Sequence, residues 1–393
     1  MAERQDAFDL SPELLQQHPE IQLIFLVLEG LILALLIGSV VTWFIMIRRM
    51  GRREPVLPVE PWTPRVWGLL DLVLILGLII VGQGISIKLW SVTSRFNLAE
   101  LRGESDLPLS AMAAVSASYI GVMLVTMAWL TLRYGVSLAH MGFASRKFGS
   151  HLRLGLGAAL VSLPVVLALM AIVSTTFSEE YDHPMLDRML EEGSSAAFLL
   201  ATFCAVISAP ITEEFLFRVM LQGWLESIPW SAKNLQWLTG ATERERGIET
   251  ADDAAFPLAR ILSTSDHSDE VAGDVVNPYT SPASHVAPVN SWSPSIADAQ
   301  NQVSQLSGAT EARPVAGGHA PPFWPVFVSG TLFGLAHLGY GLSFIPLILL
   351  GIVLGLLYRA THSIWPCLLV HLILNSFTMV GLGVSMLVKS IAQ

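Results

Sequence analysis

Glu213, Glu214 and Arg218 fall in the stretch Pro210 to Arg218, Pro-Ile-Thr-Glu-Glu-Phe-Leu-Phe-Arg, inside a run from about Ser195 to Leu225 that otherwise reads as membrane-spanning. Each ionised group at such a depth costs about 2.5 to 3.5 kcal/mol even on lenient insertion scales, so a functional site is the default reading. Residues four apart share a helix face, so Glu214 and Arg218 can pair while Glu213 is turned toward a different neighbour. One carboxylate is then neutralised and oriented, and the other is left to act as a base. Pro210, one turn upstream, has no N–H to donate and frees a carbonyl, which is expected to kink the helix beside the carboxylates and admit water. The blander alternative is that the three charges form a buried ion-pair network that locks helices together.

Two further apolar segments carry motif pairs at the same spacing. One contains Phe333-Gly-Leu-Ala-His337, the other His371-Leu-Ile-Leu-Asn375, and in each the pair points from one helix face. A lone His on an apolar helix is more often a satisfied core residue than a ligand. Two of them, with paired carboxylates and an asparagine at comparable depth, are expected to converge in one cavity. Two chemistries suit the set. A glutamate can deprotonate water for attack on a carbonyl while a His or Asn donates to the developing oxyanion. Alternatively Glu213, His337 and His371 can form a His2Glu set for zinc, with a fourth position left for water. Both lead to peptide or amide hydrolysis, and the sequence leaves zinc open. Phe333 has no proton or metal chemistry and is expected to pack beside His337.

The elements that must position these groups are membrane helices. Of 393 residues 52% are hydrophobic and only 14% charged, against about 25% charged in soluble domains. The first apolar run, Ile21 to Ile47, ends in Arg48, Arg49, Arg52 and Arg53, which the positive-inside rule places on the cytoplasmic side. Spans are expected over about 66–89, 109–132 and 154–177, then the carboxylate-bearing run, then 323–337, 342–358 and 364–387. The fold class is therefore all-α: a polytopic membrane protein of about eight transmembrane helices with a long polar insertion. By segment, 1–194 holds about four N-terminal spans, 195–225 the motif helix, 226–322 the insertion, and 323–393 the C-terminal helices. The insertion carries twelve acidic residues against five basic, a net of −7 out of the chain's −10, and lacks sustained hydrophobic periodicity, so disorder is expected there. No basic stripe exists to neutralise phosphates, so nucleic acid is not an expected partner. Cys204 and Cys367, both in apolar segments, read as small buried hydrophobes.

Taken together, Glu213-Glu214-x-x-x-Arg218, Phe333-x-x-x-His337 and His371-x-x-x-Asn375, the last preceded by Trp365-Pro366, resemble the signature of the CAAX-processing and bacteriocin-processing intramembrane proteases, the ABI or type II CAAX prenyl endopeptidase family. The resemblance covers about 195–225 and 323–387. It implies a membrane core with a water-filled cavity open to the cytoplasm, Glu213 and His337 in water activation, His371 and Asn375 on the oxyanion, and Glu214 and Arg218 in support. The insertion between the first two motifs is far longer than the short connector that the family pattern leads one to expect. The function these features imply is an intramembrane endopeptidase, metal-assisted or not, acting on membrane-embedded or lipid-anchored protein substrates in a cell membrane of bacterial type. The competing readings are a non-catalytic membrane scaffold or immunity-type partner, and a secondary transporter. The transporter reading lacks the internal repeat of broken segments that such folds show.

Overall fold

The apolar runs fold as helices close to the bounds that hydropathy predicts. In this computed structural model the described residues are 18–97, 108–143, 147–177, 194–231, 235–241, 321–339 and 341–392. The helices are α1 Pro19–Gly51, α2 Leu69–Ser94, α3 Leu109–Tyr134, α4 Phe148–Phe177, α5 running from Ser195 to Ser231 in several stretches, α6 Trp324–Leu335, α7 Phe344–Thr361 and α8 Ile364–Ala392. No strand occurs among the described residues. Seven helices are long and apolar enough to cross a membrane. The exception is α6, with 12 residues. At 1.5 Å per residue it reaches only about 18 Å, short of a hydrocarbon core of about 30 Å. One of the eight expected spans is thus a short helix packed against the others. The cysteines are free and buried, as their apolar surroundings predict.

The bundle holds together through small residues where helices touch. α6 packs along α7, α8 against α4, and α2 along α3, while α1 leans on α4 with most of its apolar surface outward. Between α6 and α7 the contact runs through Gly330 and Gly334 on one side and Gly351 and Gly355 on the other, each pair four apart. A Cβ on Gly330 would lie 2.7 Å from the Ile352 nitrogen, and one on Gly351 would lie 2.6 Å from the Gly330 oxygen. Small residues four apart let backbones approach closely, which drives association where lipid offers no hydrophobic incentive. Gly351→Ala is therefore expected to push α6 off α7 and cost about 1–3 kcal/mol as overpacking. Thermal unfolding of the detergent-solubilised protein measures this, and an unchanged melting temperature would contradict the close contact.

The ordered core continues past residue 226, where polarity suggested that the insertion begins. Glu226, Ser227 and Ser231 are buried. Ser227 Oγ accepts the Arg65 backbone N–H at 2.6 Å, and the single turn Gln236–Thr239 accepts from Trp224 Nε1 through the Trp237 carbonyl at 2.8 Å. The Ala241 N–H closes this region onto the Val66 carbonyl at 2.8 Å. These polar side chains are held inside the protein, Glu226 through Oε1 by Gln222 and the serines by backbone groups, which local polarity does not reveal. The rest of the insertion, 242–320, lies outside the described residues, as does the acidic loop 178–193.

Candidate active site

The carboxylate helix α5 is not uniform. It is α-helical over Ser195–Thr202, π-helical over Phe203–Ser208, α-helical over Ala209–Glu214, π-helical again over Phe215–Gln222, and α-helical over Gly223–Ser231. Pro210 sits at the start of the central stretch and supplies no N–H, so the irregularity expected there takes the form of i→i+5 bonding on either side of the two glutamates. Such π stretches are rare inside helices and concentrate at functional sites.

Glu214 is fully buried, and each of its oxygens is held by a different helix. Arg218 Nε donates to Oε2 at 3.0 Å, the i,i+4 pair that the sequence predicts, and His371 Nδ1 on α8 lies 2.9 Å from Oε1. Arg218, also fully buried, donates through Nη1 to Ser329 Oγ on α6 at 3.1 Å, and Ser329 Oγ in turn donates to the Phe217 carbonyl at 2.8 Å. One chain of hydrogen bonds thus crosses α6, α5 and α8. Ser329 belongs to no motif, and only its place four residues before Phe333, on the same face, could have drawn attention to it. Ser329→Ala should leave Arg218 and the Phe217 carbonyl each one partner short, at a cost of about 1–3 kcal/mol. A melt in which Ser329→Ala matches wild type would remove Ser329 from this chain.

Glu213 differs in kind. Its side chain is 28% exposed, and its Oε2 lies 3.8 Å from His371 Nε2. It lines a cavity of about 1030 Å³ together with His337, His371 and Asn375, whose far wall comes from α2, α3 and α4 through residues such as Ile79, Val122 and Met170. Those N-terminal helices gave no motif, yet they form the apolar side of the same chamber. His337 Nδ1 lies 2.9 Å from the Phe333 carbonyl, so in the neutral ring Nδ1 carries the proton and Nε2 is the basic nitrogen. Asn375 donates one amide N–H to the Ala205 carbonyl at 2.7 Å. That carbonyl lies in the first π stretch of α5, so the same irregular backbone that flanks the glutamates also fixes the asparagine. Phe333 is fully buried among the ionisable groups: its ring centre is 5.2 Å from that of His337, 5.5 Å from that of His371, and 5.0 Å from the Arg218 guanidinium carbon. It presents an apolar face to the Glu214–Arg218–His371 cluster, and the low dielectric there strengthens the electrostatic contacts inside.

The residues named for zinc, Glu213, His337 and His371, all line this cavity. Among the described residues no three His, Cys, Asp or Glu side chains group closely enough to hold a metal ion.

Residues 309–377 match the family model described as Type II CAAX prenyl endopeptidase Rce1-like. The matched stretch, 69 of the 393 residues, is similar to that family's model. No curated protein and no solved structure matches the chain. The matched segment contains Phe333, His337, His371 and Asn375 but neither glutamate. What joins Glu213 and Glu214 to the CAAX-type segment is geometry, through the hydrogen bond between His371 and Glu214. With seven apolar helices long enough to cross a bilayer, the chain is a multi-pass membrane protein.

Proposed function

We propose that the protein is an intramembrane endopeptidase in which Glu213, assisted by His337, activates water, and His371 and Asn375 stabilise the oxyanion. The observation that carries this reading is the His371–Glu214 hydrogen bond, which couples a residue of the CAAX-type segment to the paired glutamates of another helix. Glu214 is fully committed to Arg218 and His371, whereas Glu213 faces the cavity. A carboxylate that meets water is the one suited to accept its proton.

In the reaction, the Glu213 carboxylate takes a proton from water held near His337 Nε2, and the resulting hydroxide attacks the scissile carbonyl carbon. The carbonyl oxygen becomes an oxyanion, which accepts from the second amide N–H of Asn375 and from His371 Nε2–H. Glu214, hydrogen-bonded to the other ring nitrogen at 2.9 Å, orients His371 for this role. Glu213 then returns the proton to the leaving nitrogen and the C–N bond breaks, giving a carboxylic acid and an amine, and the acid proton passes to the amine to leave a carboxylate and an ammonium. Substrates are membrane-embedded or lipid-anchored polypeptides, and the basic ends of the spans favour a cytoplasmic opening. Quantitative profiling of new protein termini in membranes with wild type or Glu213→Gln at matched expression tests the reading. Termini present only with wild type support it. Identical profiles from two folded proteins would favour a scaffold instead.

A further inference from the structure

A second cavity, of about 330 Å³, lies apart from the residues described above and is enclosed by the connectors α1–α2, α3–α4 and α7–α8. Its polar wall is Glu60, Arg65, His140, Lys147, His151 and His362. Glu60 is taken up by neighbours, with Lys147 Nζ at 3.2 Å and His151 Nε2 at 3.1 Å. Arg65 is held rigidly: Nη2 donates to the Tyr358 hydroxyl at 3.0 Å and Nη1 to the His140 carbonyl. Three buried nitrogens make no hydrogen bond, His151 Nδ1 and both ring nitrogens of His362, on side chains only 5% and 10% exposed.

Buried polar atoms are nearly always paired, so unpaired nitrogens around a cavity point to a ligand that pairs them. The charge balance selects its sign. The fixed charges on the wall are Arg65 and Lys147 against Glu60, leaving one positive charge in excess before any imidazole is protonated. Glu226 is near, with Oε2 3.8 Å from His362 Nδ1, but it does not line the cavity. Burial first, then the charges of Arg65 and Arg359, push His362 well below the ordinary imidazole value. A buried ring beside two guanidinium groups sits in a field that favours an anion. The imidazoles and Glu60 do not group as metal ligands, and two fixed cations beside them oppose a cation. The three connectors begin where spans end, at Gly51, Tyr134 and Thr361, the depth at which a bilayer places its headgroups.

We propose that this cavity binds a phosphate group, a lipid headgroup's or a free one, with Arg65, His151 and His362 around it and Lys147 at its mouth. His151, its Nε2 held by Glu60 Oε1 at 3.1 Å, presents Nδ1 to the anion. The claim is independent of peptidase activity and is tested by binding. Full-length protein in neutral detergent is melted with inorganic phosphate, with dioctanoyl phosphatidic acid, and with dioctanoylglycerol as the phosphate-free control. A phosphate probe should raise Tm saturably by about 2 °C or more, and dioctanoylglycerol should not. His151→Gln and His362→Asn should each raise the half-saturating concentration about tenfold, a loss of one charge-assisted hydrogen bond. Asparagine suits position 362 because the backbone there is left-handed, with φ 46°. Equal response to both phosphate probes assigns a free phosphate, and a response to the lipid alone assigns a headgroup. The proposal is overturned if wild type responds to neither, if dioctanoylglycerol matches them, or if the variants that fold, with exposed Lys147→Ala as a third, saturate as wild type does.

Discussion

Glu213→Gln should fold and insert as wild type does, yet slow peptide hydrolysis by about a thousandfold, the middle of the range for removing a general base. The substitution keeps the size and shape of the side chain and removes only the ability to take a proton. Its structural cost should be small because Glu213 is 28% exposed to the cavity and makes its one close polar approach at 3.8 Å to His371. The two halves of the expectation are read together, as the rate at which wild-type-specific termini appear in a time course and as the melting temperature of the purified protein. A variant that keeps its rate within tenfold would remove Glu213 from the role of base. A variant with a much lower melting temperature would mean that the residue is part of the scaffold.

Arg218→Ala should do the reverse and be far more destabilising than Glu213→Gln, by about 3–5 kcal/mol, because removing one partner of a buried pair leaves the other charge uncompensated. Glu214 is fully buried and would retain only His371, while Ser329 would lose its donor and Phe333 the guanidinium beside its ring. Low yield and a strongly lowered melting temperature in detergent are the expected readout. Arg218→Lys should recover little, since an ammonium cannot reach Glu214 and Ser329 in two directions at once as the planar fork does. Equal melting of Arg218→Ala and Glu213→Gln would show that the pair contributes nothing to the fold.

Both expectations begin from what was legible in the sequence. The pairing of Glu214 with Arg218 follows from helix geometry alone and is present at 3.0 Å. The shared face of Phe333 and His337 is likewise local, and their rings lie 5.2 Å apart. Other features could not be read in this way. Ser329 contacts Arg218 across a helix interface, Asn375 spends one N–H on the Ala205 carbonyl, and Glu226, polar by type, lies in the core beside Gln222. Each depends on the register of one helix against another, and that register is set by packing between distant segments.

The sequence by itself determined the all-α membrane architecture, because a bilayer admits only helices or closed barrels and the apolar runs have helical span lengths. It also determined which side chains were too costly to be accidental at that depth. Tertiary structure alone decided that His371 holds Glu214, that Glu213 opens onto the cavity, that α6 is a short helix, and that the backbone on either side of the glutamates is π-helical. The physical reason is that i,i+4 geometry and hydropathy are local properties, whereas the approach of α6 to α7 at Gly330 and Gly351, and of α8 to α5, is fixed only when all the helices pack together.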